Sequence, residues 1–180
     1  MRFQIAQRPF VLRYAAPTDA EAHFEAIVES KAELIPWMPW CHAEYARAET
    51  DAWLATRAAA RANNESHDLL ILDCAVDRIV GAAGLNRVDA LNRTANLGYW
   101  VRTSATGRGI ATAATRRVAK FGFEELELER IEIVAAVGNT ASQRVAEKAG
   151  ARREGVLRNK LCANGGQRDA VMFSFLKGEL

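Results

Sequence analysis

Thr106-Gly107-Arg108-Gly109-Ile110-Ala111-Thr112 stands between a stretch that reads as a strand, Thr94 to Arg102, and one that reads as a helix, Gly109 to Phe123. Two glycines lie at i and i+2 with an arginine between them. Glycine lets backbone N–H groups converge on an anion with no Cβ in the way. The helix that follows adds four orphan N–H groups and the positive end of its dipole. Together these make an anion site suited to a pyrophosphate, and Arg108 can add a charged donor. The plain alternative is a tight strand-to-helix connection that happens to carry two glycines, since G-x-G turns are common. A Walker loop is excluded because Ile110, not Lys, follows Gly109. The dinucleotide fingerprint wants a third Gly or Ala where Thr112 stands.

The pattern outward from this loop is regular. Phe10 to Tyr14 alternates as a strand does. Thr18-Asp19-Ala20-Glu21 has the form of a capping box, with Thr18 as N-cap, and predicts a helix that buries Ala22, Ile27 and Val28. Two prolines keep Ile35 to Trp40 out of regular helix. Glu49 to Asn63 reads as a helix, with Trp53, Leu54 and Ala58 at helical spacing. Asp68 to Asp73 and Arg78 to Leu85 read as strands joined by a turn near Val76-Asp77. In the 109–123 helix, Ile110, Ala114, Val118 and Phe121 share one face. Arg130 to Val137 is a strand, and Thr140 to Ala149 a helix stopped by Gly150. Ala151 to Leu161 and Gln167 to Leu176 close the chain as strands. The order β-α-α-β-β-β-α-β-α-β-β predicts an α/β (α+β) fold in one domain, with a mixed sheet of about seven strands flanked by helices.

The bulk properties restrict the function. The chain has 180 residues, 49% of them hydrophobic and 26% charged, with a net charge of +2. That suits one domain spanning 1–180, with its core in about 10–176. The charge is too small to argue for nucleic acid. No window approaches the roughly 18 apolar residues of a membrane span. Met1 to Arg8 holds no apolar run and does not read as a signal peptide. Cys41, Cys74 and Cys162 are odd in number and far apart, which suits reduced thiols in a cytoplasm. His23, His42 and His67 show no metal spacing, and no metal is expected.

With its flanks, the loop resembles the GNAT N-acetyltransferase superfamily, whose pattern is a strand, then Q/R-x-x-G-x-G/A, a helix, a strand, and a helix starting Asn-x-x-Ser. Here the match is Thr106-x-x-Gly109-x-Ala111 and Asn139-x-x-Ser142, with Thr106 in place of Gln or Arg. A narrower likeness, to RimJ/RimL-type protein N-terminal acetyltransferases, rests on five blocks in order. These are Leu34 to Trp40, Leu97-Gly98-Tyr99-Trp100-Val101, Gly109 to Ala114, Asn139 to Gly150, and Arg153 to Arg158. It runs from about Phe10 to Leu176. The resemblance implies a sheet splayed between its fourth and fifth strands, with the pantetheine arm of acetyl-CoA inserted like an extra strand. It implies that the Val101 and Thr103 backbone pairs with that arm and that Asn139 hydrogen-bonds it. The pyrophosphate would lie on Thr106, Gly107, Arg108, Gly109, Ile110, Ala111 and Thr112. It is also compatible with a homodimer.

Acetyl transfer from a thioester to an amine needs a neutral amine, donors for the developing oxyanion, and a proton or a hydrogen bond for the leaving thiolate. The family places a hydroxyl near the sulfur where Ser142 stands, one helical turn from Asn139. Asn139 and Ser142 are thus the catalytic candidates, although Asn, Thr and Ser at a helix start also suit capping, with Thr140 as the cap. Many relatives carry Glu two residues before the Gly-Tyr of the fourth strand. Here that residue is Asn96, which takes no proton. Glu154, Asp169 and His42 are bases by type, and equally surface or ion-pairing groups. An α-amine, pKa about 7.7–8.0, is roughly one third neutral at pH 7.5, whereas a lysine near 10.4 is only about a thousandth neutral. A site without a strong base therefore favours an α-amine.

On the acceptor side, Trp37, Trp40 and Tyr45 gather in the proline-broken stretch and could line a substrate channel; core packing serves such residues equally well. Of Arg144, Lys148, Arg152 and Arg153, one could meet the 3′-phosphate of CoA, and the rest read as a solvated face. Three functions follow from this sequence: acetylation of a peptide or protein N-terminus, acetylation of a small amine (antibiotic, polyamine or amino acid), or a non-catalytic acetyl-CoA-binding sensor.

Overall fold

The computed structural model describes residues 1–163 and 165–180. One mixed sheet organises it, in the order β1-β2-β3-β4-β5-β6-β8-β7. Its strands are β1 (Arg2–Ile5), β2 (Arg8–Tyr14), β3 (Ser66–Asp73), β4 (Arg78–Asp89), β5 (Thr94–Val101), β6 (Arg130–Ala136), β7 (Arg152–Ala163) and β8 (Gly166–Leu176). The helices are α1 (Ala20–Glu29), α2 (Lys31–Leu34), α3 (Arg47–Ala62), α4 (Ile110–Glu124) and α5 (Thr140–Ala149). All neighbouring strands pair antiparallel except β5 and β6, which are parallel. Among the described residues no helix is long and apolar enough to cross a membrane.

Strand alternation sorts the side chains onto two faces. Leu69 and Ile71 of β3 join Leu97 of β5, Ile131 and Ile133 of β6, and Phe173 and Phe175 of β8 beneath Ile110, Ala114 and Val118 of α4. Leu70 and Leu72 turn the other way, where Ala26 of α1, Ile79 and Trp100 meet them. Burying an aliphatic or aromatic side chain contributes about 1.5–3 kcal/mol each, so the sheet is held from both sides. In β4 the pairing shifts between Ile79 and Gly81. That bulge returns Ala83 and Leu85 to the α4 face.

Four details differ from the sequence expectations. Among the described residues the sheet has eight strands rather than about seven. The extra one, β1, pairs with β2 at the sheet edge, with Phe3 opposite Phe10 and their rings 5.3 Å apart. The cap before α1 is built by Asp19 rather than Thr18. The Asp19 carboxylate accepts from the Ala16 N–H at 2.8 Å and is gripped by Arg13 at 2.7 and 2.5 Å, and Pro17–Asp19 is a 3-10 turn. Val28 is exposed and Ala22 half-buried; α1 buries Ala20, His23 and Ala26 along with the expected Ile27. Asn139, not Thr140, caps α5.

Gly84 of β4 leaves no room for a side chain against β3. A Cβ there would stand 2.6 Å from the His67 carbonyl oxygen and 3.1 Å from the Asp68 Cα, both backbone atoms that cannot swing aside. Gly84→Ala is expected to destabilise by about 2 kcal/mol, lowering the thermal midpoint by about 6 °C. Calorimetry with an unchanged midpoint would refute this close approach.

Candidate functional site

The parallel pairing of β5 with β6 covers only Thr94–Asn96 against Arg130–Glu132. Beyond it β5 stays on β4 as far as Val101, while β6 stays on β8 as far as Ala136. The sheet therefore splays open between them. The Arg102 N–H donates to the Val80 carbonyl at 2.8 Å. By the alternation of an antiparallel ladder, the backbone groups of Val101 and Tyr99 turn the opposite way, into the gap. An extended chain laid there could pair with them as a further strand would.

At the end of β5, Thr103–Ala105 forms a 3-10 turn and Thr106 is extended. Gly107 and Gly109 then adopt left-handed backbone, φ 74 and 75. A Cβ on either would meet nothing within 4 Å. The N–H groups of residues 107–112 donate to no protein acceptor among the described residues. They gather at the positive end of α4, a cradle of the kind that takes phosphate oxygens. The left-handed pair leaves an open seat where side chains would otherwise stand, so the residues present fit a pyrophosphate.

Neighbouring side chains are less available than expected. The Thr106 hydroxyl turns back to the Thr103 carbonyl at 2.8 Å. Arg108 donates to the Ser104 carbonyl at 2.9 Å. Thr103 itself has both backbone groups engaged: its N–H donates to Ser30 Oγ at 3.1 Å, and its carbonyl accepts from Thr106. Of the two positions expected to pair with an incoming arm, Val101 is open and Thr103 is not.

Across the gap, Asn139 Oδ1 accepts from the Ser142 N–H at 3.0 Å. The cap role thus falls to Asn139, which keeps its amide N–H groups as donors, and the Ser142 hydroxyl is not needed for the helix start. That hydroxyl lies 3.1 Å from the phenolic oxygen of Tyr99, which donates to the Ser142 carbonyl at 2.8 Å. Since the Tyr99 proton is on the carbonyl, the Ser142 Oγ–H can point to Tyr99 or to a ligand in the gap. Burial, partly offset by the Ser142 hydrogen bond, pushes the Tyr99 phenol up to about 12, so it stays a neutral donor near pH 7. In the sequence Tyr99 stands out only as part of the Leu97–Val101 motif. Its reach to Ser142 spans 43 positions along the chain, which no local pattern signals.

No candidate base faces this spot. Asn96 donates to Asn86 Oδ1 at 3.0 Å. Glu154 is gripped by Arg130 at 2.7 and 2.5 Å and accepts from Ser174 at 2.6 Å. Those partners outweigh burial and hold its carboxyl down at about 2, far too acidic for a base. Arg130 also opens β6, about 20 Å from Asn139 beyond the strand's other end. Asp169 accepts from the Asn159 N–H within the last hairpin, and exposed His42 lies against Glu49 at 2.8 Å.

The acceptor-side aromatics divide. Trp37 packs on the loop before α5, its ring 3.3 Å from where a Gly138 Cβ would be. It thereby bridges the proline-broken segment to the start of the Asn139 helix. Trp40 is exposed, with Trp100 at 6.4 Å and Tyr45 at 5.9 Å. Tyr45 is buried and its hydroxyl lies 3.0 Å from Thr50 Oγ1. It backs this wall rather than presenting a surface. Trp100 completes the wall from β5, and His23 stacks behind it on Trp53 at 4.9 Å. Burial lowers the His23 imidazole to about 4, against a smaller opposing pull from Asp19. Arg144, Lys148, Arg152 and Arg153 are all exposed.

Comparison with known proteins agrees with this geometry. The family model for an acetyltransferase (GNAT) domain matches residues 10–152. YdaF of Bacillus subtilis (strain 168), to which a ribosomal N-acetyltransferase activity is provisionally assigned, is 36% identical over 93% of this chain and 91% of its own. The RimJ of Mycobacterium smegmatis, solved with CoA-disulfide, superposes with a TM-score of 0.87 at 27% identity, covering 100% of this chain and 88% of that one. The microcin C7 self-immunity acetyltransferase MccE, solved with acetyl-CoA and AMP, does so with a TM-score of 0.85 at 26% identity, over 93% and 92%.

Proposed function

Because the chain belongs to the acetyltransferase (GNAT) family, we propose that it transfers acetyl from acetyl-CoA to the N-terminal α-amine of a protein or peptide. The observation that carries this reading is the row of unpaired N–H groups of residues 107–112 beside the splayed β5–β6 gap. On this reading the N–H groups of 107–112 hold the pyrophosphate. Val101 pairs with the pantetheine arm, and an Asn139 amide N–H donates to it. Bound acetyl-CoA supplies an activated acyl carbon and a sulfur leaving group. Ser142 Oγ–H donates a hydrogen bond to that sulfur as the C–S bond breaks, the thiolate then takes up a proton from water, and Tyr99 fixes the backbone that carries Ser142. Trp37 and Trp40 border the acceptor. The proton lost by the amine passes to water, since Asn96 takes no proton and Glu154, Asp169 and His42 are engaged elsewhere. The enzyme would act as a cytoplasmic homodimer, with residues 1–180 as one unit.

The reading predicts a strong preference for amines already partly neutral. Thiol release from acetyl-CoA at pH 7.5 is expected to be at least about a hundredfold faster, as kcat/KM, with free α-amine peptides than with N-blocked peptides carrying lysine, following the neutral fractions. The rate should climb between pH 7 and 8.5. Release with polyamines or aminoglycosides alone would favour a small-molecule acceptor. Tight acetyl-CoA binding with no release from any acceptor would make the protein a sensor.

A further inference from the structure

The entry to the phosphate loop is not held by the loop itself. Arg102, 3% exposed, donates to Glu29 Oε2 at 2.6 Å and to the Ile79 carbonyl at 3.2 Å. The other Glu29 oxygen accepts from the Ser104 N–H at 3.0 Å. Next along α1's end, Ser30, 1% exposed, donates to the Ala26 carbonyl at 2.8 Å and accepts from the Thr103 N–H at 3.1 Å. From α2, Glu33 accepts from the Thr103 hydroxyl at 2.9 Å. Arg78 adds a second cation on Glu29 at 3.1 Å.

Two features separate this cluster from an ordinary brace. Arg102 and the Ile79 carbonyl already tie the end of β5 to β4, so the bonds to Ser104 and Thr103 are not needed for the sheet. Both also take main-chain N–H groups, so they set the path of the backbone rather than the pose of a side chain. They remove the amides of residues 103 and 104 from ligand use and leave those of 107–112 to face outward. The same three acceptors sit on α1 and α2, which lead within a few residues to Trp37 and Trp40. Burial would raise the Glu29 carboxyl, but the Ser104 and Arg102 contacts outweigh it and hold it at about 2. The acceptor therefore stays charged across the whole working pH range, and charge-assisted bonds of this kind are the strong ones.

We propose that Glu29 and Ser30 are positioning residues that hold the entry of the phosphate loop to the acceptor-side helices, so that seating the cofactor and ordering the Trp37–Trp40 segment are one event. The proposal rests on the reading of residues 107–112 as the pyrophosphate seat. A ligand that immobilises 107–112 immobilises 103–104. Through Ser104–Glu29, Thr103–Ser30 and Thr103–Glu33 it then damps α1–α2 and the segment that follows. Hydrogen-bond networks of this kind are among the carriers of energetic coupling between sites.

Hydrogen exchange on the full chain, with and without CoA, reads this without any acceptor. In the wild type, CoA is expected to slow exchange about tenfold in both residues 106–112 and residues 31–40. In Glu29→Gln and in Ser30→Ala the slowing at 106–112 should persist, with the calorimetric Kd for CoA raised about tenfold, while the slowing at 31–40 falls to about half or less, the remaining links still standing. Ser30→Ala keeps the Glu29–Arg102 pair, so it decides the matter if Glu29→Gln does not fold. Slowing at 31–40 that is equal in wild type and variants, or absent from the wild type while 106–112 responds, overturns the coupling alone. No response at 106–112 in the wild type overturns the pyrophosphate reading, and the proposal with it.

Discussion

Gly109→Glu is expected to abolish acetyl-CoA binding, raising Kd by a hundredfold or more, about 3 kcal/mol. Two effects add. Gly109 has φ 75 and serves as the N-cap of α4, a left-handed conformation that costs a non-glycine residue about 1–2 kcal/mol. A Cβ there points into open space rather than into protein, so the carboxylate would occupy the seat itself and repel a pyrophosphate at close range. Gly109→Ala separates the two, because it carries the backbone strain and no charge. It should weaken binding by about tenfold at most, with a small fall in thermal midpoint. Calorimetry that finds Gly109→Glu binding acetyl-CoA as the wild type does would end the assignment of residues 107–112. Equal losses in both variants would mean the loop's shape matters and its electrostatics do not.

Ser142→Ala carries the second large effect. Turnover should fall about a hundredfold, the low end for loss of one hydrogen-bond donor aimed at charge that develops in the transition state, with the acetyl-CoA Kd unchanged within about twofold. The structure makes the experiment clean. The Ser142 N–H still donates to Asn139 Oδ1, and the Ser142 carbonyl still accepts from Tyr99. The variant therefore keeps its cap, and its stability should move by less than about 0.5 kcal/mol. Tyr99→Phe is the companion. It frees the Ser142 carbonyl and removes the 3.1 Å contact with Oγ while leaving that hydroxyl in place, and it should lower turnover about tenfold. If the two hydroxyls act as a unit, the double variant will be no slower than Ser142→Ala by itself, because effects within a unit do not add. Wild-type turnover in Ser142→Ala would leave the residue with no role beyond the helix start.

What the sequence disclosed depended on where the information sits. Gly107, Gly109 and Gly150 were legible because their job is local: each holds a left-handed backbone that side chains resist. The amphipathic face of α4 was legible for the same reason, since Ile110, Ala114 and Val118 repeat at helical spacing. β1 was not, because the turn into β2 uses Ala6 and Gln7 at φ 46 and 66, residues that give no turn signal. The Thr18 cap was misjudged because Arg13, on another element, draws Asp19 into the role. Tyr45 reads the same as Trp40 in the sequence, and only the contact with Thr50 separates a buried support from an exposed wall. Tyr99–Ser142 and Thr103–Ser30 are 43 and 73 residues apart. Contacts at that range exist only once the sheet is assembled.

The splayed gap also bears on how such a protein can diversify. Val101 and Tyr99 offer main-chain groups to the gap, and residues 107–112 offer main-chain N–H groups to the anion. Peptide groups are the same in every residue but proline, so most substitutions along these stretches leave that recognition standing. The aromatic wall is different. Trp37, Trp40 and Trp100 act through their rings, and one replacement remodels the surface they form. A lineage built on this plan can drift toward new acceptors while its grip on the acyl donor is insulated from the change.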